Sequence, residues 1–117
     1  MVKVNLTNFQ ELKNLFNHIK PDAVIHAAAQ SQPNYCQINA QESYKINVTA
    51  SCDLAGLCAD NSLPLAFTST DLVFDGLNAP YREIDKVSPV NIYGEQKVAA
   101  EAGILQVYPQ AAICRMP

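Results

Sequence analysis

With 117 residues, 49% of them hydrophobic and 16% charged, the chain has apolar content for one globular core and not for two. A net charge of −3, a pI near 5.2 and the lack of any Lys/Arg run exclude the electrostatic footprint of a nucleic-acid binder. No apolar run nears the ~20 residues of a membrane-spanning helix, and Met1-Val2-Lys3-Val4-Asn5-Leu6 lacks the apolar core of a secretion signal, so a cytoplasmic protein with no membrane partner is expected.

Val2 to Leu6 alternates like a short strand. Thr7 or Asn8 offers a cap for a helix carrying Phe9, Leu12, Leu15, Phe16 and Ile19 on one face, and Lys20 with Pro21 ends it. Ala23 to Ala27 reads as a buried strand, and the small side chains of Ala28 and Ala29 after it would let a planar ligand lie against backbone. Ser31 to Ile38, containing Pro33, reads as a polar connector. Ala40 to Asp60 carries a long helical pattern with Tyr44, Val48, Leu54, Ala55 and Cys58 broadly on one side. Asn47 in its middle is a poor helix former, which argues for a task of its own.

Beyond the Asn61-Ser62 break, Pro64 to Ser69 is a short apolar strand ending in hydroxyls, and Asp71 to Phe74 continues or bends it. Asp75 to Pro89, with Gly76, Pro80 and Pro89, is a loop. Asn91 to about Gln106 reads as a helix packed through Ala99, Ala100 and Leu105 and stopped by Pro109, and Ala111 to Arg115 as a last strand. This alternation predicts an α/β fold, a parallel sheet with helices on both faces. Cys36, Cys52, Cys58 and Cys114 form no C-x-x-C pair and no metal-like spacing with His18 or His26, so they read as small packed residues in a reducing compartment, with no metal site.

The chemistry concentrates between Phe67 and Lys97. Open α/β sheets bind ligands outside the carboxyl ends of their strands, and Thr68-Ser69-Thr70-Asp71 stands at such an end. Tyr93 and Lys97, four residues apart, lie on one helical face a turn from each other. A phenol, with its ordinary pKa near ~10, is a poor acid-base group at neutral pH. An ammonium one turn away favours the phenolate, which lowers that pKa and eases proton transfer to a carbonyl oxygen. A hydroxyl such as Thr70 could hold that carbonyl. A dinucleotide-binding unit also needs a glycine-rich turn to receive the pyrophosphate, and the four glycines here, Gly56, Gly76, Gly94 and Gly103, are scattered.

Ser69-Thr70-Asp71-Leu72-Val73-Phe74-Asp75-Gly76, then Pro80-Tyr81-Arg82-Glu83, then Ser88-Pro89-Val90-Asn91-Ile92-Tyr93-Gly94 with Lys97 and Glu101, resemble the extended short-chain dehydrogenase/reductases. Within them the resemblance is to the dTDP-4-dehydrorhamnose reductase family, a branch that also holds the regulatory beta subunit of methionine adenosyltransferase. Pro21 to Ala29, Asn47-Val48 and Arg115-Met116-Pro117 carry the same resemblance, so it spans nearly the whole chain.

The resemblance implies a partial Rossmann-like, doubly wound parallel sheet: residues 1–117 would be the central and C-terminal part of an NAD(P)-binding domain, strands three to six, with no second domain. Val2 to Leu6 would be the third strand, and the missing neighbours would leave it unpaired and leave Ala23 to Ala27 as an apolar edge. The chain is then expected to be part of a longer enzyme or an inactive truncated product, and not a self-sufficient catalyst.

Tyr93 would be the proton donor, Lys97 the cation that tunes it and holds the nicotinamide ribose, and Thr70, preferred over Ser69, the group that orients the carbonyl. Ala27, Ala28, Ala29, Asn47, Thr68, Tyr93 and Lys97 would bind NADP or NAD, and Asp71 with Thr70 the substrate. Asn47 would hold a backbone carbonyl and a water near the lysine, and His26 would pack beside the cofactor. The implied activity is reduction of a 4-keto-6-deoxy sugar nucleotide in dTDP-rhamnose biosynthesis, with the sugar nucleotide and a second copy of the chain as partners. The rival implication is a non-catalytic, NADP-binding regulatory subunit docked on a methionine adenosyltransferase. Gln30, Ser31, Gln32 and Pro33, where the reductases usually carry Thr and Asp, lean toward that rival.

Overall fold

The computed structural model describes residues 2–117. Helix α1, Phe9–Ile19, forms as its caps predict. Asn8 is extended and its Oδ1 accepts the Glu11 N–H at 3.1 Å, while Lys20 closes the far end in the left-handed region at φ 51°, donating its N–H to Phe16 O at 2.9 Å. Leu12 and Phe16 enter the core, but Phe9 and Ile19 stay exposed. The expected strand at Val2 to Leu6 does not form. A strand is held by its ladder, and none of the described residues pairs with this segment. Asn5 instead closes a turn, its Oδ1 accepting the N–H and hydroxyl of Thr7 at 3.0 and 2.7 Å.

Three strands make the sheet: β1, Val24–His26; β2, Leu65–Thr70; and β3, Ala112–Met116. They are parallel and lie side by side in the order β1-β2-β3, with Val24 opposite Leu65 and Phe67 opposite Ile113. The order steps in one direction. Because a parallel crossover is right-handed, successive steps in one direction put their helices on the same face. Here those helices are α4, Ala50–Asp60, and α5, Ile92–Val107, and α1 joins them in one core made of Leu12, Phe16, Leu54, Leu57, Cys58, Leu65, Phe67, Ala100 and Ile104. The parallel α/β architecture is as expected, whereas helices on both faces are not found among the described residues, since no reversal of strand order occurs there. The opposite face is open. Ile25 in β1 is 79% exposed and Met116 in β3 is 52% exposed, so the strand expected to be buried at Ala23 to Ala27 is shorter and covered on one side only.

Two further departures lie between β1 and β2. The expected connector holds a short helix α2, Pro33–Ile38, begun by Pro33 at its first position, where a missing N–H costs nothing. The long helix beyond runs as α3, Ala40–Tyr44, then a π-helical turn, Lys45–Thr49, then α4. Asn47 sits in that turn. Widened turns of this kind recur at functional sites because they redirect a side chain. The chain from Asp75 to Pro89 is irregular, as its Gly and Pro content requires, and Phe74 stacks on Tyr81 with ring centroids 4.1 Å apart at its base.

Candidate functional site

Helix α5 begins where β2 ends. Asn91 is its cap, accepting the Gly94 N–H at 2.7 Å, and the glycine is required: a Cβ there would meet Leu72 O, just past β2, at 2.5 Å. This close approach brings the first turn of α5 against the carboxyl end of the sheet. The buried face of α5 carries Tyr93, Gln96, Lys97, Ala100, Glu101 and Ile104, a helical stripe that is polar near the strand ends and apolar deeper in.

Lys97 is 3% exposed, and its Nζ donates to Thr68 O at 2.8 Å while standing 4.3 Å from the centre of the Phe67 ring. Burial pulls its pKa down to about 8, and the charge of Glu101 works against that fall. Tyr93 is buried through its ring. No hydrogen bond among the described residues uses its hydroxyl, yet no buried side-chain oxygen lacks a partner, so the oxygen itself reaches the surface. Burial pushes the Tyr93 pKa up. This corrects the expectation that Lys97 lowers it: the ammonium is turned to the Thr68 carbonyl, and desolvation of the ring governs the phenol.

Thr70 ends β2 with its Oγ1 accepting the Leu72 N–H at 3.2 Å. Asp71 beside it is exposed and opens a single 3-10 turn. Thr68 supplies the carbonyl that Lys97 binds, and its own hydroxyl donates to His26 O at 3.3 Å across to β1. Thr70, ending β2, and Tyr93, in the first turn of α5, therefore stand toward the same carboxyl end of the sheet, with Lys97 one helical turn further on and anchored to Thr68, and no hydrogen bond joins the three side chains directly.

Ala27, Ala28 and Ala29 follow β1 at the same end of the sheet, Ala27 and Ala28 exposed and Ala29 half-buried. The loop they start is clamped by Asn47. Its Oδ1 accepts the Gln30 N–H at 2.8 Å and its Nδ2 donates to Gln30 O at 3.0 Å, so the side-chain amide copies a strand partner. Asn47 thus holds both the N–H and the carbonyl of Gln30. The Asn47 carbonyl accepts the Ser51 hydroxyl at 2.8 Å, and Ser51 Oγ lies 2.9 Å from His26 Nε2. Since Ser51 has one proton and gives it to Asn47, the hydrogen-bond network assigns the Nε2 proton to His26. Burial, with Lys97 next in importance, holds the His26 pKa at about 4, so the ring is neutral.

Two polar groups, Gln96 and Glu101, received no role from the sequence, although Glu101 stands in the motif that carries the resemblance. Gln96 is 4% exposed and bonds Asn47, Ala40 and Ser43. Glu101 is 6% exposed and accepts the Ser69 hydroxyl at 2.5 Å and the Arg115 guanidinium at 3.1 and 2.7 Å, tying α5 to the ends of β2 and β3. The spacing from Lys97 to Glu101 and Gln96's place next to Lys97 were the available signals. Beyond Glu101 a cleft of about 610 Å³ opens, lined by Asp71, Phe74, Tyr81, Arg82, Glu83 and Arg115 among others; Thr70, Tyr93 and Lys97 do not line it. Among the described residues no cluster of His, Cys, Asp and Glu is placed to hold a metal, all four cysteines are free with Cys114 exposed, and no helix is long and apolar enough to cross a membrane.

The chain is similar to methionine adenosyltransferase 2 subunit beta of Rattus norvegicus, 35% identical over 115 residues that make 98% of this chain and 34% of that protein. It thus spans about a third of the length of the curated relatives it matches. Among solved structures it is similar to a hypothetical dTDP-4-dehydrorhamnose reductase from Sulfolobus tokodaii, with a TM-score of 0.90 and 32% identity over 97% of this chain and 41% of that one. A dTDP-4-dehydrorhamnose reductase from Bacillus anthracis, solved in complex with NADP, superposes with a TM-score of 0.91 at 27% identity, covering 96% of this chain and 40% of that one. The model of the RmlD substrate binding domain matches residues 1–117, and the chain belongs to that family.

Proposed function

We propose that the protein containing this chain reduces a 4-keto-6-deoxy sugar nucleotide with NADPH or NADH. The observation that carries the reading is Lys97, an almost fully buried ammonium fixed to the carbonyl of Thr68 at the carboxyl end of β2, one helical turn from a buried phenol whose oxygen reaches the surface. Burying a cation has a cost that a structural role does not require. Tyr93, protonated at neutral pH, donates its proton to the carbonyl oxygen as negative charge builds there. Thr70 orients the carbonyl, and Asp71 holds a sugar hydroxyl.

The coenzyme would rest on Ala27, Ala28 and Ala29, whose methyl groups leave the backbone open at the strand end, beside the loop held by Asn47 and the Thr68–Lys97 contact. When bound, it supplies hydride to the carbonyl carbon. The residues present fit its nicotinamide end; no glycine-rich turn for the pyrophosphate is among the 117. This chain would then be the strand three to six portion of the binding domain, working with segments that complete it, in nucleotide-sugar metabolism. Turnover of dTDP-4-keto-6-deoxy sugar with NADPH tests the reading: Tyr93→Phe should lose most turnover while keeping NADPH binding, and unchanged turnover would overturn it.

A second reading, a regulatory subunit that keeps the dinucleotide fold and docks on a methionine adenosyltransferase, draws support from relatives named as that subunit at 34 to 36% identity. Capture of a purified methionine adenosyltransferase together with no NADPH oxidation would favour it.

A further inference from the structure

The geometry points to Gln96 as a positioning residue: through the Asn47 amide it fixes the backbone of Gln30 on both sides of its Cα, in the loop that the coenzyme reading places against the nicotinamide end. This rests on the proposed function for the identity of the ligand, not for the contacts. Gln96 Nε2 donates to Ala40 O at 3.1 Å and to Ser43 Oγ at 2.8 Å, and both of its hydrogens are thereby used. Ser43 passes its own proton to Ala40 O at 3.2 Å, so it can only accept from Gln96. Gln96 Oε1 is left to face Asn47 Nδ2 at 2.9 Å. Turning the Gln96 amide over would set two donors against each other on one side and two oxygens against each other on the other.

That orientation is passed on. The two Asn47 hydrogens go to Gln96 Oε1 and Gln30 O, with Cys36 Sγ a longer third contact of the same nitrogen at 3.8 Å, and Oδ1 accepts the Gln30 N–H. The Gln30 carbonyl also receives the Cys36 thiol at 3.3 Å. A residue on α5 next to Lys97 thus fixes the backbone of Gln30, which follows β1, across the widened helical turn that carries Asn47. All the groups involved are buried or half-buried, so water cannot replace a lost partner without opening the site. Gln96 touches no reacting atom; it acts through Asn47.

Gln96→Met keeps length and bulk and removes the hydrogen bonds, which separates orientation from packing. The test is amide hydrogen exchange by NMR, with the Phe67 amide in β2 as the reference for overall stability. In the variant the Gln30 amide should exchange roughly tenfold faster relative to Phe67. A ratio unchanged from the parent chain would overturn the inference. The parent chain gives a second check that needs no variant: both Asn47 side-chain amide protons should exchange slowly, and free exchange of either would overturn it too. With NADPH as probe on the longer protein that contains this chain, affinity should fall along with Gln30 protection in Gln96→Met, and loosened Gln30 with unaltered affinity would count against positioning. Absence of NADPH binding to that longer protein would instead sink the coenzyme reading, leaving the exchange data to judge Gln96.

Discussion

Acidification should destabilise the fold through His26. The ring is buried with its Nε2 proton on Ser51, the Ser51 proton is committed to the Asn47 carbonyl, and Lys97 adds positive charge nearby, so a second proton is resisted and the pKa falls from 6.5 to about 4. The unfolded imidazole binds its proton below about 6.5, the folded one only below about 4. Between these values the unfolded state holds more protons, so this contribution to stability is full above the upper value and lost as pH falls through the window. The whole difference is worth about 3 kcal/mol, and between about pH 7 and about pH 5 the loss is about 2 kcal/mol. For a small domain whose total stability is roughly 5–15 kcal/mol, that is a large share. Urea unfolding at both pH values, on the parent chain and on His26→Gln, measures it. The variant should show a pH difference smaller by about 2 kcal/mol; equal differences in the two proteins would mean that carboxylates, not this imidazole, govern the acid limb, and the reasoning would fail.

Glu101→Gln keeps the shape and removes the charge that Arg115 and Ser69 bind, leaving a half-buried guanidinium without its partner. It should lower stability by about 2 kcal/mol in urea titrations, less than for a fully buried pair because Arg115 keeps some exposure, and a change under about 0.5 kcal/mol would deny the pair a structural role. Gly94→Ala places a methyl 2.5 Å from Leu72 O, a backbone atom that cannot swing away. Thermal unfolding should show a loss of about 1–3 kcal/mol, and an unshifted midpoint would show that α5 and β2 are not in such close contact.

What could be read from the sequence was local. The caps of α1 at Asn8 and Lys20, the start of α5 at Asn91, the break at Asn61-Ser62 and the apolar run of β2 each depend on a few neighbouring residues, and each stands where its residues put it. Tyr93 and Lys97 share a face for the same reason, since helical spacing alone decides it. The polar composition and Pro33 hid α2, although proline at the first position was a usable sign. Val2 to Leu6 alternates as a strand should, but strandness is a property of a pair, and the described residues hold no mate for it.

What only the tertiary structure decided was who meets whom. Lys97 chooses the Thr68 carbonyl, 29 residues away, over the phenol one turn back, and burial pushes the Tyr93 pKa up where its spacing from Lys97 predicts a fall. Asn47 and Gln96, 49 residues apart, become one network with Gln30, and Glu101 joins two strand ends. Helical and turn preferences are written in adjacent residues, whereas desolvation and hydrogen-bond partnership exist only once distant segments exclude water from each other.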